Sequence, residues 1–132
     1  MTDKLKELYT IEDLNKALSE SGSQPVLFFK HSLTCPLSSR ALSEFNSYLE
    51  TADPAVSYNL ITVQTARKVS AEAACRLKID HESPQAILVY NGRQVWNASH
   101  FGITASSIDE AIRGIRAWHA AEKSEGAPAP SQ

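Results

Sequence analysis

The chain has 132 residues, of which 42% are hydrophobic, and it carries a formal net charge of −2 at pH 7. This length favours one domain, and the apolar fraction allows a buried core without disulfide or metal staples. A net charge so close to zero gives no sign of nucleic acid or an anionic membrane surface as a partner.

The first half of the chain predicts a helix, a strand and a second helix. In "YTIEDLNKALSES", Thr10 can cap a helix with Asp13 three residues on, and apolar residues follow at helical spacing until Gly22. The run "VLFFKH" after Pro25 suits a strand buried on both faces. Pro36 fits the first turn of the next helix. The apolar stripe of that helix comprises Ala41, Leu42, Phe45, Tyr48 and Leu49.

The second half predicts a strand, a short helix, a hairpin and a long final helix. "VSYNLITV" is rich in β-branched and aromatic residues, as strands are. Ser70 is a candidate cap for a short helix that ends at Leu77. Two strand-like runs flank Asn91-Gly92, the dipeptide that favours a tight hairpin turn. The last helix starts at about Thr104. Its apolar face comprises Ile108, Ala111, Ile112, Ile115 and Trp118.

The order of these elements indicates the fold class. Strands that alternate with helices pair in parallel, and the closing hairpin adds antiparallel strands. The order α, β, α, β, α, β-hairpin, α matches the thioredoxin-like fold, an α/β fold with a central mixed sheet flanked by helices. We expect a single domain over residues 1–123. The small, polar, proline-containing segment 124–132 is predicted to be a disordered tail.

The start of the chain and its cysteines favour a cytoplasmic protein. No apolar stretch approaches the length of a membrane span, and "MTDKLKELYTIEDL" lacks the apolar core of a secretory signal. The two cysteines, Cys35 and Cys75, would rarely form a structural bridge in a reducing compartment. The cysteines and histidines lack zinc-finger spacing, so no metal site is predicted.

Cys35 is the candidate nucleophile. It is placed where a strand hands over to a helix, and the unpaired N–H groups of a helix N-terminus carry partial positive charge. They stabilise a thiolate, which is the species that attacks disulfides. Lys30 and His31, at the end of the strand, would add positive potential. His31 is either a proton handler for the thiol or simply the polar residue that closes the strand.

The stretch "CPLS" predicts monothiol chemistry. Dithiol oxidoreductases of this fold carry a second cysteine three residues after the first, and here Ser38 occupies that position. A serine cannot resolve a mixed disulfide, although its hydroxyl can hydrogen-bond a thiolate one turn away. A first-turn hydrogen bond within the helix is the commoner use of such a serine. Cys35 would therefore attack, hold a thiol adduct and wait for an outside thiol.

Pro84, in "HESPQAILVY", is the candidate cis-proline. It directly precedes a core strand, which is where this fold keeps such a residue opposite its nucleophile. The Ser83 backbone would then offer strand-like hydrogen bonds to a bound thiol or peptide.

Three stretches together resemble a known family. "FKHSLTCPLS", "HESPQAILVYNG" and "WNASHFGIT" occur in order and are similar to those of the YtxJ-type bacilliredoxin-like proteins, small thioredoxin-fold members associated with bacillithiol. The resemblance extends from the first predicted strand to the last helix. It implies that Cys35 is the redox-active cysteine of a T-C-P-x-S motif and that Pro84 is the cis-proline.

The resemblance also implies a reaction and its partners. The protein would remove bacillithiol from S-bacillithiolated client proteins, with bacillithiol as an external co-substrate and no bound cofactor. The expected catalytic residues are Cys35, Ser38 and His31. The expected substrate-binding residues are Lys30, Thr34, Pro36, Ser83 and Pro84. No nucleic-acid or membrane partner is expected.

Three other functions are compatible with the residues. A monothiol member could carry an iron–sulfur cluster or a metal, with Cys35 and an external thiol as ligands. The chain could be a non-catalytic binding module with an inert Cys35. Cys35 and Cys75 could also form an intramolecular dithiol pair, although Cys75, among alanines in a helix, is more simply a packing residue.

Overall fold

The computed structural model describes residues 4–125, with side chains described as far as Trp118. A single 3-10 turn, His100–Gly102, separates the last strand from the last helix. In chain order the other elements are β1 (Leu5–Glu7), α1 (Ile11–Glu20), β2 (Val26–His31), α2 (Pro36–Leu49), β3 (Ser57–Thr62), α3 (Arg67–Leu77), β4 (Gln85–Tyr90), β5 (Arg93–Ser99) and α4 (Ala105–Glu125).

The strands form one mixed sheet in the order β1-β3-β2-β4-β5. β1 and β2 both pair with β3 in parallel, whereas β4 pairs antiparallel with β2 and with β5. This is the predicted arrangement of parallel strands with a closing hairpin. Because β2 and β3 are parallel, the loops that leave their carboxyl ends emerge at the same edge of the sheet. That edge carries the "KHSLTC" stretch.

Helices cover both faces of the sheet. Because successive side chains of a strand alternate between faces, Leu27 and Phe29 of β2 join the core cluster beneath α2 and α4, where the Phe29 ring stacks on Phe45 at 4.8 Å between centroids. Phe28 joins the separate core cluster beneath α1 and α3. We call these sides the α2 face and the α3 face. The alternation sends Lys30 to the α3 face and its neighbour His31 to the α2 face.

Local signals account for several element ends. The Asp13 amide donates to Thr10 Oγ1 at 3.0 Å and the Thr10 amide donates to Asp13 Oδ2 at 3.1 Å, so Thr10 caps α1 as predicted. Asn91 and Gly92 both have positive φ, 55° and 75°, as the tight turn between β4 and β5 requires. The predicted start of the last helix at about Thr104 is confirmed within one residue.

Two elements differ from the predictions. The short strand β1 (Leu5–Glu7) was not expected, because three residues with one leucine give no periodic signal. The helix α3 begins at Arg67 rather than at Ser70. A turn after β3, in which the Ala66 amide donates to the Thr62 carbonyl at 3.0 Å, leads the chain directly into the helix. Ser70 is therefore a buried residue within the first turns of α3.

The last helix continues to Glu125, two residues into the segment predicted as a tail. The remainder of that predicted tail, residues 126–132, lies outside the described residues. Among the helices of residues 4–125, none is long and apolar enough to cross a membrane.

Candidate active site

Cys35 occupies the N-cap position of α2, with Pro36 as the first helical residue. Its backbone is extended (φ −105°, ψ 121°), and its carbonyl oxygen accepts the Ser38 amide at 3.0 Å. The side chain is partly exposed and makes no capping hydrogen bond, and the first turn of α2 contains no acidic residue. A thiolate at this position therefore meets the positive end of the helix dipole without a carboxylate from that turn beside it.

Gln64 holds the loop that leads to Cys35. Its Oε1 accepts the Leu33 amide at 3.0 Å, and its Nε2 donates to Ser32 Oγ at 2.9 Å. The Thr34 amide also donates to Ser32 Oγ, at 3.4 Å. Sequence reasoning did not identify Gln64, because no motif contains it. Its position just after β3, at the carboxyl edge of parallel strands where sites of α/β sheets form, was the available signal.

Ser38 is fully buried and ties the same loop to α2. Its Oγ accepts the Ser32 amide at 3.2 Å. As an acceptor in that bond, the hydroxyl keeps its own proton for donation to another group. The prediction that Ser38 hydrogen-bonds the Cys35 thiolate stays a prediction. The observed contact joins Ser38 to the loop before α2 rather than to another residue of the helix.

His31 is 9% exposed and lies on the α2 face. Its Nδ1 is buried without a hydrogen-bond partner among residues 4–125. Burial lowers the pKa of His31, while the Ser38 backbone and the Glu7 carboxylate act in the opposite direction. An imidazole whose pKa is lowered from its ordinary value is neutral at pH 7, so His31 has a ring nitrogen that can take up a proton.

Lys30 is 0% exposed, although a lysine at the end of a strand is ordinarily solvated. Its Nζ donates to the Ser70 carbonyl at 3.0 Å and lies 3.2 Å from His81 Nδ1. Burial lowers the pKa of Lys30 to about 8. The predicted contact with substrate is not provided by this geometry, because the ammonium points into the α3 face and away from α2.

The Ser83–Pro84 peptide bond is cis, which confirms the assignment of Pro84. Lys30 and Gln85 are partners in the antiparallel register of β2 and β4, so Pro84 lies beside the end of β2, at the edge of the sheet from which the Cys35 loop emerges. The Pro84 carbonyl accepts the His100 amide at 3.2 Å. Ser83 Oγ is buried and, within the described part of the chain, has no hydrogen-bond partner.

Exposed apolar side chains flank this edge. Leu33 is 63% exposed and precedes Cys35 by two residues, with exposed Thr34 between them. Phe101 is 66% exposed and follows the residue that bonds Pro84. The Arg40 guanidinium lies 5.4 Å from the centre of the Phe101 ring, which is within cation–π distance. Exposed apolar side chains beside a reactive thiol are suited to contact another molecule.

Cys75 is remote from this edge. It is an exposed thiol on α3, which covers the opposite face of the sheet from α2. Cys75 comes eight residues after Arg67, so it lies about 12 Å along α3 from the end nearest the site. A bridge between Cys35 and Cys75 would need a rearrangement of the fold. Within residues 4–125, His, Cys, Asp and Glu form no group of three or more that could hold a metal ion.

Comparison with known proteins places this arrangement in a family. A family model described as monothiol bacilliredoxin BrxC matches residues 6–108. The chain belongs to the monothiol bacilliredoxin BrxC family. The match spans β1 to the start of α4 and includes the Cys35 loop and the Ser83–Pro84 segment. Membership confirms the family expected from the three sequence stretches and supports a thiol oxidoreductase.

Solved structures confirm the thioredoxin fold. A thioredoxin-fold protein described as a candidate oxidoreductase is 34% identical, with a TM-score of 0.73 over 82% of this chain and 93% of that one. Thioredoxin from Fasciola hepatica is 16% identical, with a TM-score of 0.66 over 83% and 97%. The reduced thioredoxin pre-protein of Schistosoma mansoni is 20% identical, with a TM-score of 0.66 over 85% and 98%. At these lower identities the two thioredoxins support the fold alone.

Proposed function

We propose that this monothiol bacilliredoxin family member removes bacillithiol from mixed disulfides on client proteins through Cys35. The observation that carries the proposal is the thiol at the N-cap of α2 with Ser38, not a second cysteine, three residues later. A lone thiol at this position can accept a thiol adduct from a client but cannot expel it internally. An outside thiol must then complete the cycle, and bacillithiol is the one that family membership suggests.

The proposed reaction has two exchanges. In the first, the Cys35 thiolate attacks the bacillithiol sulfur of the client disulfide. A bond forms between Cys35 and bacillithiol, the old disulfide breaks, and the client cysteine leaves as a thiolate. In the second, a bacillithiol thiolate attacks the adduct, which restores the Cys35 thiolate and yields bacillithiol disulfide. The client cysteine is reduced and one free bacillithiol is oxidised, because the transferred bacillithiol was already part of a disulfide. A separate reductase must recycle the bacillithiol disulfide.

His31 is proposed to accept the proton of the Cys35 thiol. Neutral His31 lies on the α2 face. A hydrogen bond with the backbone of Ser38, which is one turn from Cys35, acts to raise the pKa of His31. Its Nδ1 has no other hydrogen-bond partner among the described residues. Buried polar atoms without partners are rare and occur at functional sites. The same imidazole can return the proton to the departing client thiolate.

The client is proposed to bind over the edge that carries Cys35. Leu33 and Phe101 offer apolar contacts on either side. The predicted substrate-binding residues Thr34, Pro36 and Ser83 lie at the same edge. The Ser83 backbone would hydrogen-bond an extended segment of the client next to its modified cysteine.

Intact mass spectrometry tests the proposal. Reduced protein is mixed with a bacillithiolated client, and masses are read before and after free bacillithiol is added. We expect one bacillithiol on the protein, a freed client, and loss of the adduct once bacillithiol is added. If the client keeps its modification while Cys35 stays unmodified, the reductase function is wrong. A visible absorption band from the purified protein would then favour a cluster carrier, and its absence a binding module.

A further inference from the structure

The α3 face contains a buried cation that the proposed chemistry does not use. Lys30 is 0% exposed, and its Nζ contacts the Ser70 carbonyl and His81 Nδ1 at 3.0 and 3.2 Å. A buried charge is unfavourable for folding, and an apolar side chain of similar volume is often neutral or stabilising in its place. The stability of the fold therefore gives no reason for a lysine here.

The contact with Lys30 determines the protonation of His81. An ammonium group only donates hydrogen bonds, so His81 Nδ1 must be an acceptor and its proton must sit on Nε2. Ser70 Oγ lies 3.3 Å from the same Nδ1 and can donate to it. Burial and the charge of Lys30 both lower the pKa of His81, while Glu82 raises it. The imidazole is thus neutral and oriented by donors from β2 and α3.

His81 belongs to the segment that leads to Pro84. The neighbours of His81 are tied to the sheet edge as well. Gln85 Nε2 donates to the Asp80 carbonyl at 3.0 Å, and His100 Nε2 lies 3.4 Å from Glu82 Oε1. Those contacts come from β4 and from the 3-10 turn. Lys30 adds a contact from inside the core, and it lies on β2, the strand that leads into the Cys35 loop.

We propose that Lys30 is a positioning residue that holds His81 and, through it, the Ser83–Pro84 segment in the conformation that binds the client disulfide. This inference rests on the proposed function, since it assigns that segment to substrate binding. It predicts a specific split. Loss of Lys30 weakens binding of the client disulfide, whereas the intrinsic reactivity of Cys35, on the other face, is retained.

The test compares Lys30→Met with Lys68→Met, which removes an exposed lysine from α3. One readout is KM for a bacillithiolated client, and the other is the rate at which iodoacetamide alkylates Cys35. Loss of a hydrogen bond from a charged group should raise KM about tenfold in Lys30→Met. The alkylation rate should stay within about twofold of wild type, because the N-terminus of α2 is untouched. Lys68→Met should match wild type in both.

Substitutions at His81 keep the test decisive even if Lys30→Met does not fold. His81→Leu removes the acceptor and should raise KM about as much as Lys30→Met. His81→Asn places an amide oxygen close to the position of Nδ1, so its KM should stay close to that of wild type. The double variant Lys30→Met with His81→Leu should be no worse than either single one, because both break the same contact.

The possible failures are distinguishable. Wild-type protein that does not remove bacillithiol from the client refutes the proposed function itself. Active wild-type protein with an unchanged KM in Lys30→Met and His81→Leu refutes the positioning role alone. A fall in the alkylation rate as large as the rise in KM would assign Lys30 to the general integrity of the fold and would also overturn the inference.

Discussion

Cysteines and basic residues have different surroundings on the two faces of the sheet. On the α2 face, Cys35 sits at a helix N-terminus and is partly exposed, and His31 has an unpartnered ring nitrogen. On the α3 face, Cys75 lies well along a helix, and Lys30 is completely enclosed with internal partners. The two cysteines differ in their position along a helix, whereas Lys30 and His31, adjacent at the end of β2, differ in the face of the sheet to which each points.

The largest expected effect separates the two cysteines. Cys35→Ala should abolish both adduct formation and release of the client, because it removes the attacking sulfur. Cys75→Ala should change the rate by less than about twofold, since an exposed residue remote from the site contributes little. Mass spectrometry of the adduct and a steady-state assay of client release check both variants. Activity in Cys35→Ala, or a large loss of activity in Cys75→Ala, would show that Cys35 is not the attacking thiol or that Cys75 takes part in the reaction.

A second change would turn the monothiol site into a dithiol site. Ser38→Cys places a second sulfur one turn from Cys35, where it can attack an adduct and expel bacillithiol. Adducts should then give way to an internal disulfide, visible as a loss of about two hydrogen masses relative to the reduced protein. Ser38→Ala is the matched control, because it also loses the hydrogen bond from Ser32 but offers no thiol. A persistent adduct in Ser38→Cys would show that position 38 does not reach the Cys35 sulfur.

The pH dependence of stability tests the burial of Lys30. The pKa of Lys30 is about 8 in the folded protein and near its ordinary value of 10.5 in the unfolded chain. Between these values the unfolded state binds the extra proton, so the contribution of Lys30 to stability rises with pH. The unfolding free energy of wild type minus that of Lys30→Met should therefore increase by up to about 1.4 kcal/mol per pH unit from pH 8 upward.

Urea unfolding between pH 7.5 and 9.5 measures this difference. The window ends there because buried Tyr48 and Tyr58 have raised pKa values, and their unfolded forms ionise near pH 10, which lowers stability. Both tyrosines are present in wild type and variant, so their effect cancels in the difference. A difference that is flat with pH would mean that Lys30 titrates as a solvated lysine.

The smallest expected effect concerns Gln64. Gln64→Ala removes the hydrogen bonds to the Leu33 amide and Ser32 Oγ, and should lower stability by about 1–2 kcal/mol. The looser Cys35 loop should reduce client turnover by about threefold, since a few tenths to one kcal/mol of ordering is lost at the site. Thr65→Ala, at the next and exposed position, is a suitable control. Equal turnover in both variants would show that the loop does not depend on Gln64.

Whether a feature could be predicted from the sequence depends on how far along the chain the residues that determine it lie from one another. Neighbouring residues predict Cys35 at a helix N-cap and the hairpin at Asn91-Gly92, and the fold class predicts the cis bond before Pro84. All three are observed. The short strand β1 depends instead on pairing with β3, 53 residues away at Leu5 and Tyr58, so its own residues did not reveal it.

The buried lysine shows the same limit within the site. A lysine at a strand end is ordinarily solvated, and the partners that enclose Lys30 are 40 and 51 residues away in the chain. Strand alternation predicts that Lys30 and His31 face opposite sides, but it does not say which side is closed by α3 and His81. Gln64 escaped notice for a similar reason, because its partners lie in a different loop.

The most direct test of the central claim is to trap the intermediate and map it. Wild-type protein is incubated with a bacillithiolated client, excess thiol is alkylated, and peptides are analysed without reduction. We expect bacillithiol on the peptide that contains Cys35 and none on the peptide that contains Cys75. Bacillithiol on Cys75, or a disulfide between the two cysteines, would contradict it.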